Sequence, residues 1–277
     1  MKTGLPKLFL YSVIFIFSDA CFAENEAGIN PANSPLISII IDDMGYQLEN
    51  GRQAIQLPGP LTFSILPGTP HAKTRAQLAQ QHNKEVMLHL PLEPISNKKT
   101  EKNSITLAMN ETQTRDTLIE DINNVPYVIG INNHMGSLFT QYEKNLHWLM
   151  NEIKLIGNLY FVDSYTNPAS IAMSVAAQHN IPTTKRDVFL DNNHTAEDID
   201  YQFSRLLRKA RKNGSALAIA HPHKETIEYL QNKLLQLDEL GVKLVPVSRI
   251  IEHENVRSRT WPVSLSRSHK AAKSLNP

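Results

Sequence analysis

The sequence predicts a single α/β domain built on parallel strands, and three observations predict it. Leu36–Ile41 is a short, β-branched and almost unbroken apolar run, the pattern of a strand covered on both faces. Runs of this kind alternate with helical segments along the whole chain. Polar and ionisable residues then recur where these strands end, the position at which α/β barrels and open α/β sheets place their chemistry.

The chain has 277 residues, 41% hydrophobic and 20% charged, with a formal net charge of +1. That length can bury a sizeable core without disulfide or metal staples. The near-neutral balance gives no electrostatic case for nucleic acid or a membrane surface as partner. At the N-terminus Lys2 and Lys7 precede the apolar stretch Leu8–Phe17, and Ser18–Ala23 supplies small residues for cleavage after Ala23. A basic start, an apolar middle too short to span a bilayer comfortably and a small-residue exit read as a signal peptide. An uncleaved anchor is the alternative, whereas Asp19 argues against a lipoprotein cut before Cys21. The expected location is therefore periplasmic or secreted, with no stable membrane insertion once the leader is removed. Cys21 is the single cysteine, so the mature chain would carry no disulfide framework.

Residues 24–35 read as a linker and 36–252 as the domain. After Leu36–Ile41 come Asp42 and Asp43, then a short helix over Leu48–Leu57, stopped by Pro58-Gly59-Pro60. Strand Leu61–Leu66 ends at Pro67-Gly68, and a helix from about His71 to Asn83 follows. Strand Glu85–Leu90 delivers His89, Pro91 and Glu93 at its end, and 95–109 is polar and irregular, a loop over one face. Helix Glu111–Asn123 leads to strand Tyr127–Ile131, which runs into Asn132, Asn133, His134 and Gly136. Leu146, Leu149, Met150 and Ile153 have the spacing of one helical face within Tyr142–Ile156, and Gly157 ends that helix. Strand Leu159–Val162 closes on Asp163 and Ser164, and a helix near Pro168–His179 follows. Strand Val188–Leu190 lies between Asp187 and Asp191. Thr195 and Asp198 form a capping pair for a helix with Ile199, Phe203, Leu206, Leu207 and Ala210 inward. Strand Ala216–Ala220 ends at His221-Pro222-His223, helix 224–240 stops at Gly241, and Leu244–Val247 closes the set. Residues 253–277, with five lysines and arginines among them, read as a basic disordered tail.

In a parallel barrel the strand exits share one rim, so Asp42, Asp43, His89, Glu93, Asn133, His134, Asp163 and His221 would converge there. One carboxylate and two imidazoles leave open positions for water and substrate on a divalent metal such as zinc. A neighbouring aspartate would then accept a proton, and a histidine across the site would give one to a leaving group, which fits hydrolysis of an amide or ester. No arginine cluster or glycine-rich loop stands beside the acids, against a phosphoesterase. Arg186, next to Asp187, reads as a structural ion pair or a substrate contact.

The stretches Ile40–Gly45, His89–Pro94, Gly130–Gly136, Phe161–Ser164 and Ala220–His223 together resemble the divergent polysaccharide deacetylases (YibQ-like), a branch of the NodB-homology carbohydrate deacetylases. The resemblance spans about 36–252 and implies an irregular (β/α) barrel of about seven parallel strands. It implies Asp42 as catalytic base, Asp43 and His89 as metal ligands, and His221 as general acid. The chain departs from the family's patterns at two places. Glu93 stands where the second ligand histidine is usual, and Pro222 stands where an aspartate usually follows the acid histidine. His134 is expected to supply the missing imidazole, with Glu93, Asn133, Asp163, Arg186 and Asp187 around substrate or behind the ligands. The function so implied is a metal-dependent, deacetylase-like hydrolase of an N-acetylated envelope glycan, with zinc the expected divalent ion and a glycan or peptidoglycan-type polymer the expected substrate. The alternative is a non-catalytic glycan-binding or envelope-assembly protein on the same barrel. Nothing in the sequence speaks to oligomeric state.

Overall fold

A computed structural model describes residues 34–95 and 101–260, together with Met1. The leader and most of the linker expected before the domain lie outside the described residues, as does the tail from Trp261 on. No helix among the described residues is long and apolar enough to cross a membrane.

Among the described residues, nine parallel strands are interleaved with eight α-helices. They are β1 (Leu36–Met44), α1 (Glu49–Ile55), β2 (Thr62–Ile65), α2 (Ala72–Gln81), β3 (Glu85–Leu92), α3 (Glu111–Asn124), β4 (Val128–Met135), α4 (Glu143–Ile156), β5 (Tyr160–Asp163), α5 (Ala172–Gln178), β6 (Thr183–Lys185), β7 (Val188–Phe189), α6 (Ala196–Asn213), β8 (Ser215–Ala220), α7 (Lys224–Lys233), β9 (Lys243–Leu244) and α8 (Val247–Thr260). The sheet runs in the order β6-β5-β4-β3-β2-β1-β8-β7, and β9 pairs with the first two residues of β1. Strands β6 and β7 are the two edges of this order, yet only Arg186 and Asp187 separate them in sequence. Three Cα steps span at most about 10 Å. The sheet must therefore curl until its edges nearly meet, giving a barrel with one unpaired seam.

Side-chain alternation sorts the core into two layers. Ile37, Ile39 and Ile41 of β1 face the surrounding helices, with Phe63, Leu88, Ile131 and Phe161 of neighbouring strands. Ile40, Met87, Tyr160, Val162, Leu217 and Ile219 face the barrel interior. Burying each isoleucine fully contributes about 2–3 kcal/mol, so this run anchors β1 between β2 and β8.

Helix α8 carries the fold to Thr260, past the boundary expected at 252. Its Val247 and Ile251 complete the inner layer and close the end of the barrel opposite the strand exits. Glu85, at the start of β3, accepts the Ser248 N–H at 3.3 Å and the hydroxyls of Thr62 and Tyr160 at 3.2 Å each, and it also bonds the Ser248 hydroxyl. A buried-edge carboxylate at a helix N-terminus is favourable by charge and by hydrogen bonding. Composition hid this helix: Val247, Ile250 and Ile251 lie in its first turns, but charged residues recur along it from Arg249 on. Strand β6, Thr-Thr-Lys, has no apolar run at all, and its three backbone pairings to β5 define it.

Candidate metal centre

Strand alternation directs Asp42 inward along with Ser38 and Ile40, and it would direct Asp43 outward. Asp43 instead has φ 53°, in the left-handed region, where the pairing of β1 with β2 shifts register between Ile41 and Met44. A bulge of this kind re-aims a side chain, and aspartate tolerates the left-handed conformation better than most residues. Both carboxylates thereby reach the same mouth. Gly45 follows with φ 124°, and a Cβ there would collide with the Thr69 hydroxyl.

His89 comes from the inward face of β3 and His134 from that of β4, two strands paired residue against residue from Met87 onward. Asp43 Oδ1 lies 3.2 Å from His89 Nε2 and 3.1 Å from His134 Nδ1, and the two ring nitrogens are 3.2 Å apart. These atoms form a nearly equilateral triangle. Tetrahedral ligands with zinc bonds of about 2.0–2.1 Å stand about 3.3 Å from one another, so the triangle has the dimensions of one face of such a site. Asp43 Oδ1 is buried and lacks a hydrogen bond of good geometry, despite the two nitrogens beside it. An orphaned carboxylate oxygen is costly, and a cation shared by the three atoms would satisfy it. The residues present fit a divalent metal.

Asn132 orders the ligands from behind. Its Oδ1 lies 2.8 Å from His89 Nδ1 and accepts the Ser64 hydroxyl, and its Nδ2 donates to Asp42 Oδ1 at 2.9 Å. His89 must then carry its proton on Nδ1, which leaves the Nε2 lone pair facing the triangle. Burial pushes the Asp42 carboxyl above its ordinary range, against the charges of His89 and His221. Burial also acts upward on Asp43, but contact with His134 and His89 outweighs it and holds this carboxyl well below the carboxylate range.

On the far side His221 leaves β8 with Nε2 3.8 Å from Asp43 Oδ2. Asp191, 1% exposed at the exit of β7, holds it twice. Oδ2 accepts the His221 N–H at 2.6 Å, and Oδ1 lies 3.0 Å from His221 Nδ1; the Thr226 hydroxyl donates to Oδ2 at 2.9 Å. Burial opposes the charge on His221, but the Asp191 bond and nearby carboxylates raise its pKa to about 9.

The site therefore gathers Asp42, Asp43, His89, His134 and His221 as expected, and adds Asn132 and Asp191. Asp191 follows an apolar run in the way that the other site residues do, and that signal could have found it. The remaining expected residues make these contacts. Glu93 spends its carboxylate on the Leu107 N–H at 2.6 Å and is not among the clustered ligand groups. Asn133 bonds the Ser164 N–H and the Met135 carbonyl, tying the β4 and β5 exits together. Asp163 accepts the Tyr165 N–H and the Ser170 hydroxyl, which shapes the loop into α5. Asp187 caps the Leu217 N–H and pairs with Lys209 on α6, not with Arg186. Arg186 reaches the mouth and donates to the carbonyls of Ser164 and Tyr165.

A family model described as divergent polysaccharide deacetylase matches residues 39–251. The uncharacterized protein YibQ of Escherichia coli (strain K12) is 36% identical over 241 residues, covering 87% of this chain and 75% of that protein. An uncharacterized protein of Haemophilus influenzae is 34% identical over 256 residues, covering 92% of this chain and 87% of that one. Among solved structures, uncharacterized protein ATU2773 from Agrobacterium tumefaciens C58 shares the fold with a TM-score of 0.75 at 23% identity, over 78% of this chain and 89% of that one. By the extent of the family match and the identity to these relatives, the chain belongs to the divergent polysaccharide deacetylase family.

Proposed function

We propose that this protein is a metal-dependent deacetylase acting on an N-acetylated glycan of the cell envelope, in the periplasm or outside the cell. The observation that carries the reading is the triangle of Asp43, His89 and His134, flanked by a buried carboxyl on one side and an aspartate-held imidazole on the other. A divalent cation on that triangle, zinc by its one-oxygen, two-nitrogen donor set, would polarise the acetyl carbonyl and acidify water.

The chain's own groups account for the protons. Asp42, with its proton affinity raised by burial, takes the proton from water as the oxygen adds to the acetyl carbon. Asn132 holds that carboxylate in place. His221, imidazolium at neutral pH, gives its Nε2 proton to the amide nitrogen as the C–N bond breaks. Acetate and a free amine leave, and exchange with solvent restores both groups. In this reading the two departures from the family pattern are each compensated. His134 stands in the triangle in place of the usual second histidine, and Asp191 takes the role of the aspartate absent after His221.

The test is metal content and acetate release on the purified mature chain. One divalent ion per chain is expected, with Asp43→Ala and His134→Ala each losing it, and acetate release from an N-acetylated oligosaccharide is expected only from the loaded parent. A parent that takes up no zinc on reconstitution would overturn the reading.

A further inference from the structure

The wall of the mouth between β5 and β8 holds an arginine that the hydrolytic chemistry does not use. Along the β6 edge Thr184 is buried and Lys185 exposed, and the next step of the alternation turns Arg186 inward. Its guanidinium lies over the Phe189 ring, 5.1 Å from the centroid, and that ring lies 5.2 Å from the imidazole of His221. Nε donates to the Ser164 carbonyl at 2.7 Å and Nη2 to the Tyr165 carbonyl at 2.8 Å. These two bonds occupy the side edge of the guanidinium and fix its plane across the barrel seam. The remaining N–H groups, two on Nη1 and one on Nη2, have no partner among the described residues, and Arg186 forms no ion pair with a described carboxylate.

The acidic groups whose charge reaches Arg186 are engaged elsewhere. Asp42 is bonded to Asn132, Asp163 to Ser170 and Tyr165, and Asp187 to Leu217 and Lys209. A pre-positioned guanidinium with an open two-pronged end, one aromatic ring removed from the general acid, has the geometry that recognises a carboxylate bidentately. We infer that Arg186 anchors a carboxylate of the substrate, so that the glycan bound here is built from acidic N-acetylated sugars carrying a free carboxyl close to the acetamido group. This rests on the deacetylase reading and narrows it. A neutral N-acetylated polymer would leave the open end of the guanidinium to water.

The matched probes are a disaccharide containing N-acetylmuramic acid and its methyl ester, which differ only in the carboxylate. Binding of each is measured by calorimetry on the zinc-loaded full chain, for the parent, Arg186→Gln and Arg186→Lys. The parent is expected to favour the acid by tenfold or more (~10-fold for one charge-assisted pair). The acid-to-ester ratio should fall to about one in Arg186→Gln and to an intermediate value in Arg186→Lys, which keeps the charge without the fork. An arginine that merely latches the seam would weaken both ligands together and leave the ratio intact. Equal binding of acid and ester by the parent, a preference that survives in Arg186→Gln, or binding of neither probe would overturn the inference. Metal content and acetate release from neutral substrates would still stand or fall separately.

Discussion

Replacing Asp191 with asparagine tests the proton economy of the site most directly. Burial opposes the charge on His221, and Asp191, by a contact at 3.0 Å to Nδ1, is the largest of the groups that raise it to about 9, ahead of Asp42 and Asp43. With the carboxylate gone, the imidazole should fall toward its ordinary pKa of about 6.5, a change worth up to about 3 kcal/mol of imidazolium stabilisation. At pH 8.5 the full change would take the fraction of protonated His221 from about three quarters to about one hundredth, a loss of about 70-fold in acid form. At pH 6 the same arithmetic gives less than about twofold. The assay is initial acetate release by zinc-loaded parent and Asp191→Asn across pH 5.5–9.5. The alkaline limb should move down by up to about two pH units, above any pH-independent loss from a less well-aimed ring. The stability sign agrees. His221 binds its proton more tightly folded than unfolded, so the pair's contribution is complete below about pH 6.5 and is lost as pH rises through about 9. A uniform drop in rate with an unmoved alkaline limb would refute the acid role assigned to His221.

Three further outcomes follow from the same geometry. Asn132→Ala leaves the His89 Nδ1 donor and an Asp42 oxygen unpaired in a buried site, and should cost about 2–4 kcal/mol by chemical denaturation and ten- to hundredfold in zinc affinity by chelator competition. Glu93→Ala should keep one metal per chain by elemental analysis, because its carboxylate serves the Leu107 N–H; loss of the ion would put Glu93 among the ligands after all. Burial pushes Asp121 up to about 7, with Asn103 its one hydrogen-bond donor among the described residues. Its folded form thus keeps a proton that the unfolded chain releases near pH 4 (about 3.9 unperturbed), so stability should fall as pH rises from there toward 7. Asp121→Asn should narrow the gap between thermal midpoints measured at pH 5 and pH 8; an unchanged gap would count against it.

What the sequence made legible is what local pattern controls. Apolar runs and helical periodicity place most of the elements because a strand covered on both faces leaves few alternatives to Leu36–Ile41 or Ser215–Ala220. The barrel's closure was less legible. It depends on β6, whose polar residues are held by backbone pairing to β5, and on α8, whose buried turn is followed directly by charge. Within the site, each residue found from sequence stands at the end of an apolar run. Asp191 stands at such an end too, but its meaning depends on β7 lying beside β8, a non-local fact. Asn132 carries no such signal, since nothing local distinguishes an asparagine that bends a loop from one that joins two catalytic groups.

The adjacent pair Asp42 and Asp43 shows where pattern and chemistry part. Period-two alternation sends neighbours on a strand to opposite faces, so an Asp-Asp step at a regular strand end could supply one group to the mouth and waste the other. The left-handed backbone at Asp43 removes that constraint, at a cost of about 1–2 kcal/mol for a non-glycine residue. Two consequences depend on this bend. Asp43 meets His89 and His134 at ligand spacing, while Asp42 remains inside the barrel, bonded to Asn132 and 3.7 Å from His89 Nε2. The two carboxyls then experience opposite environments a residue apart, one held ionised by imidazoles and one raised by burial. Separate proton affinities on neighbouring acids are what a division between metal ligand and base requires. The strained bulge is thus the local feature on which the proposed chemistry depends most, and the backbone at residue 43 matters as much as the carboxylate it carries.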